Sequence, residues 1–294
     1  RNMTVNKIFV VGSGLMGSGI SQVCAQAGVE VLLYDIDPEA LKRAVKSMEW
    51  SLNKFFEKGK IAEDGATVMK RVRTVTDFSE AGEAGLLIEA VFENLELKQE
   101  IFQKLDKAAG PQALLASNTS AISITELAAV TGRPEKVLGL HFFSPVPMMK
   151  AVEVIKGLAT ADETAQRGRE FAFKIGKEPI MVNMDVAGFV INRINFPSTM
   201  EAMRLVEQGV ATVEDIDKGL KLASGRKMGI FETGDMVGLD ITYGAMMAMY
   251  RETGDPRWYP PMLLRKKVTA GQLGRKTGKG WYEYNEDGTM KGTP

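Results

Sequence analysis

An apolar run from Lys7 to Val11 passes directly into Gly12-Ser13-Gly14-Leu15-Met16-Gly17 and then into a helix-forming stretch from Leu15 to Ala27. This order of strand, glycine loop and helix narrows the available folds more than any other part of the chain. Gly12 allows a tight turn, Gly14 lets the backbone approach a pyrophosphate, and Gly17 lets the helix pack closely on the strand. The first helical N–H groups, those of Leu15, Met16 and Gly17, then point at the anion along the helix dipole. A glycine string alone carries little weight; the strand before it and the helix after it give it meaning. The next strand, Glu30 to Tyr34, runs out at Asp35. A carboxylate there accepts hydrogen bonds from ribose hydroxyls and repels a 2′-phosphate, so the site is expected to take NAD rather than NADP.

The alternation of short apolar runs with helical segments continues. A helix opens at Asp37 and Pro38, and strands are expected at Leu86 to Val91, Ala113 to Ser117, Val137 to His141, Val152 to Ile155 and Pro179 to Val182. Capping boxes at Ser123/Glu126 and Thr160/Glu163 start helices between them. This predicts an α/β fold: a Rossmann-type, parallel-sheet domain with helices on both faces. Near Asp185 the alternation stops. Helices are expected from Phe189 to Gln208, from Thr212 to Leu222, from Asp235 to Arg251 and from Pro261 to Val268, with a kink or opened turn at Pro197. Residues 1–185 are therefore read as the nucleotide-binding domain and 186–294 as an all-helical C-terminal domain, with the boundary between 184 and 188. The methionines of the second half (Met200, Met203, Met246, Met247, Met249) read as adaptable packing.

A chain of 294 residues, 45% of them hydrophobic, can bury two ordinary cores. Lys plus Arg (37) balances Asp plus Glu (37), so no overall field attracts nucleic acid or an anionic membrane. No apolar run approaches the roughly 18 residues of a membrane span, and no cleavable signal pattern precedes the first strand. The single cysteine, Cys24, excludes an intrachain disulfide and suits a reducing compartment, with the cytoplasm as the default. Arg1 and Asn2, ahead of Met3, read as residues added in front of a natural start.

The one histidine, His141, stands in HFFSPVPMMKAVEVI, followed by two aromatics, a proline-broken turn and then Glu153. Imidazole takes up and returns a proton nearest neutrality, which makes it the natural general base when a carboxylate partners it. A lone histidine after an apolar strand is more often a satisfied core or turn residue, so the surrounding motifs decide its role.

Those motifs are GSGLMGSGI, EAVFENLELKQEIF, SNTSAISIT, HFFSPVPMMKAVEVIKG, GFVINR and GRKTGKGWYEY. Together they make the chain resemble the 3-hydroxyacyl-CoA dehydrogenase family, in particular its stand-alone short-chain 3-hydroxybutyryl-CoA type, over residues 5 to 285. The resemblance implies NAD-dependent interconversion of short (S)-3-hydroxyacyl-CoA and 3-ketoacyl-CoA thioesters, and a homodimer formed through the helical domain. It makes His141 the catalytic base and Glu153 its partner. Ser120 becomes the serine beside substrate and cofactor, and Asn192 the asparagine that bonds substrate oxygen. Glu93, Lys98, Ser144 and Lys276 fall at cofactor positions; Ser51, Lys54 and Lys58 fall on the segment that meets the adenine nucleotide end of coenzyme A, whose phosphates need cations or N–H donors. No metal is implied. On residue type alone, Glu93 and Lys98 would be a helix-start charge and a surface charge.

Two departures from the family pattern stand out. Ser144 replaces the asparagine of HFFNP and reaches less far. In Arg226 to Phe231 (RKMGIF) both prolines that flank the Met-Gly pair are missing, which is expected to free that loop. Two other readings compete. A non-enzymatic crystallin-like or NAD-sensing relative would not need His141, Glu153, Ser120 and Asn192 together. A hydroxyacid dehydrogenase with a lysine base would need a lysine where GFVINRIN has arginine and asparagine.

Overall fold

The computed structural model describes residues 5–292, so Arg1 and Asn2 lie outside it. The chain divides into two compact units, residues 1–186 and 187–294.

The first unit is built on β1 (Lys7–Val11), α1 (Leu15–Gln26), β2 (Glu30–Tyr34), α2 (Pro38–Glu57), α3 (Gly65–Met69), β3 (Val72–Val75), β4 (Leu86–Glu89), α4 (Leu95–Ala108), β5 (Leu114–Ser117), α5 (Ile124–Ala128), β6 (Val137–Phe142), β7 (Ala151–Ile155), α6 (Asp162–Lys174) and β8 (Glu178–Val182). The eight strands form one sheet in the order β3-β2-β1-β4-β5-β6-β7-β8. Strands β1 to β6 are mutually parallel, and the order reverses between β1 and β4, the crevice where doubly wound sheets bind ligands. Strands buried on both faces read as continuous apolar runs, and β1, β4, β5 and β6 do so; Ile8, Val10, Leu86, Ile88 and Leu138 sit in the core.

The sheet departs from an all-parallel reading at β7, which runs antiparallel to β6, with β8 parallel to β7. Only a short turn links β6 to β7, too short for the crossover that a parallel partner requires. Strand β3 escaped the sequence reading because its middle residues, Arg73 and Thr74, are exposed at the sheet edge and break any apolar run. The expected cap at Ser123 forms, its Oγ accepting the Glu126 N–H at 3.2 Å. The one at Thr160 does not: α6 opens after Ala161, and Thr160 Oγ1 instead donates to the Val137 carbonyl at 2.6 Å.

The second unit is helical: α7 (Ile191–Glu207), α8 (Val213–Ser224), α9 (Ile230–Val237), α10 (Leu239–Thr253) and α11 (Met262–Thr269). Pro197 lies inside α7. Met200, Met203, Met246 and Met249 pack with Phe231, Trp258 and Trp281 in its core. The helix expected from Asp235 to Arg251 is two helices, because Gly238 takes φ +110°, a conformation that ends α9 and admits only glycine readily. Buried Asp235 accepts N–H bonds from Trp281 (2.8 Å) and Tyr282 (2.9 Å) and the Tyr284 hydroxyl (3.0 Å), pinning the GKGWYEY segment to α9. Burial raises its carboxyl above the ordinary range despite those bonds. The Arg226–Phe231 loop is less free than its missing prolines suggest. Asp217 is buried and accepts the Phe231 and Glu232 N–H groups, both at 2.9 Å, and Glu232 accepts the Gly229 N–H at 2.9 Å. Among the described residues no helix is long and apolar enough to cross a membrane.

Candidate active site

The carboxyl ends of the parallel strands assemble the site. At the end of β1 the loop is as tight as its glycines require: a Cβ on Gly17 would lie 1.8 Å from the Gly12 carbonyl oxygen, and one on Gly12 would lie 2.7 Å from the Ala90 carbonyl oxygen. A Cβ on Gly14, by contrast, meets nothing within 4 Å. Packing therefore accounts for Gly12 and Gly17, whereas Gly14 borders open space at the N-terminus of α1, where the N–H groups of Leu15, Met16 and Gly17 are left over by helix geometry. That is the cradle a pyrophosphate needs.

Asp35 follows β2. Its Oδ2 accepts from Ser13 N–H (2.8 Å) and Ser13 Oγ–H (2.7 Å), and its Oδ1 accepts from Asp37 N–H (3.0 Å). Burial pushes its carboxyl upward, but the hydrogen bonds from Asp37 and Ser13 outweigh it and leave the group below the ordinary aspartate range. Asp35 is thus an anion joined to the glycine loop, placed to receive ribose hydroxyls. The loop, the dipole and this carboxylate fit a dinucleotide without 2′-phosphate.

His141 and Glu153 are direct cross-strand partners in the β6–β7 ladder, which puts both side chains on one face of the sheet. The antiparallel β7 thereby closes a gap of twelve residues to a contact of 2.7 Å between His141 Nδ1 and Glu153 Oε2, both groups buried. As a carboxylate Glu153 can only accept, so Nδ1 carries the hydrogen and Nε2 presents its lone pair. Ser120 Oγ lies 3.2 Å from that nitrogen. The Phe143 ring stands 4.6 Å from the imidazole, centroid to centroid. Ser144 is half-buried at the start of the following turn and joins Pro145 through a cis peptide bond. Lys177 supports this turn from below: its Nζ donates to the Val146 and Met149 carbonyls, both at 2.6 Å, and burial lowers its ammonium below the ordinary lysine range.

Glu93, half-exposed after β4, gathers the loop beyond β5. Its Oε1 accepts from Thr119 Oγ1 (2.5 Å), Ser120 N–H (3.0 Å) and Ala121 N–H (3.1 Å). Lys98 is not the surface charge its residue type suggests. It is buried, and its Nζ donates to Glu89 Oε1 at 2.6 Å. Glu89, fully buried at the end of β4, escaped the sequence reading, which ran that strand on to Val91 and gave the carboxylate no partner. The available signal was a carboxylate ending a strand with a lysine nine residues on.

The other expected residues fall elsewhere. Ser51 and Lys54 lie on α2 and Lys58 follows its last residue; the 51/54/58 spacing puts them on one helix face, with Lys54 bonded to Glu57 at 2.9 Å. In the second unit Asn192 occupies the first turn of α7, and α7 begins two residues later than expected because Gly188 (φ +78°) and Phe189 (φ +46°) are left-handed. Lys276 pairs with Asp240 at 2.6 Å.

Comparison with known proteins identifies the family. Residues 7–186 match the NAD binding domain of 3-hydroxyacyl-CoA dehydrogenase, and residues 188–284 match its C-terminal domain. The probable 3-hydroxybutyryl-CoA dehydrogenase of Bacillus subtilis is 45% identical over 97% of this chain and 99% of its own length. Among solved structures, FadB2 of M. tuberculosis superimposes with a TM-score of 0.93 at 40% identity, covering 96% of this chain and 100% of that one. The (S)-3-hydroxybutyryl-CoA dehydrogenase PaaH1 of Ralstonia eutropha gives 0.90 at 40% identity, with the same coverage.

Proposed function

This chain belongs to the 3-hydroxyacyl-CoA dehydrogenase family and is an NAD-dependent oxidoreductase, and from that premise we propose that it interconverts short (S)-3-hydroxyacyl-CoA and 3-ketoacyl-CoA thioesters with His141 as the proton-transferring group. The observation that carries the residue assignment is the buried contact of His141 with Glu153, with Ser120 at the other ring nitrogen.

The Gly12–Gly17 loop and Asp35 would hold NAD, with Glu93 and Ser144 as further cofactor positions and Lys276 assigned by the family resemblance alone; Lys98, buried and bonded to Glu89, would act on the cofactor only through Glu93. When bound, NAD supplies the acceptor for hydride from substrate C3. In oxidation His141 Nε2 takes the proton of the C3 hydroxyl. Glu153, facing Nδ1–H, offsets the positive charge the ring acquires and keeps the ring turned. In reduction the same nitrogen returns the proton to the forming alkoxide. Ser120 shares a hydrogen bond with Nε2, which a substrate oxygen would take over; Asn192 is assigned to substrate binding by the family resemblance alone. Ser51, Lys54 and Lys58 offer a hydroxyl and two ammonium groups to the phosphates of coenzyme A.

We also read the protein as a cytoplasmic homodimer joined through its helical unit. Ile194, Val210, Leu222, Ile241 and Met262 are exposed apolar side chains of that unit, of the type a second copy would cover. Sedimentation at micromolar concentration tests it; a monomer would reject it.

Acetoacetyl-CoA-dependent consumption of NADH tests the chemistry. His141→Ala should lower kcat by about 10² to 10⁴-fold while NADH still binds, as followed by its fluorescence. Near-normal turnover in that variant would remove His141 from the role.

A further inference from the structure

We propose that Glu89 is a positioning residue for the reaction, acting through Lys98 and Glu93 on Ser120. This rests on the assignment of Ser120 and His141 given above. The argument starts from saturation. Glu89 is fully buried and both its carboxylate oxygens are engaged: Oε1 accepts from Val91 N–H (2.7 Å) and Lys98 Nζ (2.6 Å), and Oε2 accepts from Ser117 Oγ (2.6 Å). Lys98, 1% exposed, has three donors and three acceptors within reach: Glu89 Oε1, the Val91 carbonyl at 3.2 Å and Glu93 Oε2 at 3.4 Å. Glu93 spends its other oxygen on Thr119, Ser120 and Ala121. Ser117 Oγ in turn accepts the Thr119 N–H at 3.1 Å, so the β5 end is gripped from two sides.

These contacts form one continuous path from an interior carboxylate to the backbone N–H of Ser120, the residue whose hydroxyl lies beside His141 Nε2. The middle of that path is an ammonium with a negative group on each side. Buried charges of this kind are expensive unless each is paired and hydrogen-bonded, and pairing then fixes their geometry. An amide at position 89 would keep the shape but weaken the hold on the ammonium, which would turn toward Glu93. Glu93 would then loosen its three bonds to the 119–121 loop, and Ser120 would lose its register with the imidazole. Glu89 touches neither His141 nor the open space at Gly14, so its effect is on orientation.

The test is a double-mutant cycle on kcat and KM with acetoacetyl-CoA and NADH. Glu89→Gln should lower kcat by up to about 10²-fold, the scale of a small misplacement, with little change in the KM for acetoacetyl-CoA. In a Ser120→Ala background the same substitution should cost almost nothing further, because the residue it acts through is gone. Effects that multiply instead would overturn the proposal. Should Glu89→Gln fold poorly, Glu89→Gln with Lys98→Met removes both charges. That variant should melt near the wild type yet keep the kcat loss, and wild-type kcat in it would reduce the pair to packing and overturn the proposal. His141→Ala run alongside separates the two readings: turnover surviving there rejects the catalytic assignment itself, whereas its loss combined with a multiplicative cycle rejects only Glu89.

Discussion

Glu153 and Glu89 are equally hidden from solvent, each on a strand of the same sheet, and each bonded to one basic side chain. They differ in what that base can do next. His141 keeps a second ring nitrogen facing Ser120, and it can shed its charge by giving up a proton. Lys98 has all three of its hydrogens committed inside the fold. A buried carboxylate beside imidazole therefore serves chemistry, while one beside a saturated ammonium serves alignment. Burial and pairing alone do not distinguish the two; the partner's capacity to take up and return a proton near neutrality does.

The largest effect should come from breaking the first pair. Glu153→Gln should cut kcat by about 10² to 10⁴-fold, since the amide no longer dictates which ring nitrogen carries the hydrogen. Its melting temperature should fall only slightly, because a neutral imidazole leaves no unpaired charge in the interior. Breaking the second pair should show the reverse emphasis. Glu89→Leu leaves a buried ammonium without its partner and should cost about 3 to 5 kcal/mol in urea unfolding; adding Lys98→Met should restore most of that. Equal stability losses at Glu153 and Glu89 would erase the distinction.

Two aspartates sharpen it further. Asp35→Asn removes a negative charge facing the ribose and should raise the NADPH-to-NADH ratio of kcat/KM by at least about tenfold, or ~1.4 kcal/mol. The smallest effect is one of titration. Asp35 should lose its proton below the ordinary value of 3.8, and Asp235, raised by burial, above it. The signs follow from proton binding. Asp35 contributes stability at pH above 3.8 that is lost as pH falls through its depressed folded value. Asp235 binds a proton more tightly folded than unfolded, so its contribution is present below 3.8 and lost as pH rises through its raised value. Carboxyl-carbon NMR titration reads both, and Ser13→Ala should move Asp35 back toward 3.8.

Much of this was legible in the residues. The Gly12–Gly17 loop, Asp35, and the passage from alternating elements to helices near 185 follow from local sequence and hydrophobic spacing, which act over a few residues. His141 and Glu153 could be joined because a strand, a turn and a strand separate them. What stayed hidden depends on three-dimensional neighbours. Strand β3 lacks a pattern because it is an edge. Glu89 and Lys98 look like an ordinary strand residue and an ordinary surface charge until α4 brings them together. Thr160 carries the right letter for a cap and is drawn off by the Val137 carbonyl. Asp235 reveals its purpose only when residues 281 to 284 return to it.

The clearances around the three glycines also set limits on redesign. With 1.8 Å between a Cβ on Gly17 and the Gly12 carbonyl oxygen, the first turn can accept no substitution without rebuilding the end of β1. A side chain on Gly14 meets no protein atom but would fill the space a pyrophosphate needs, whereas the exposed Ile36 faces neither obstacle. Anyone recoding this enzyme for a different electron carrier therefore has a narrow strip of editable surface, just past the second strand, on a frame that must otherwise be left alone.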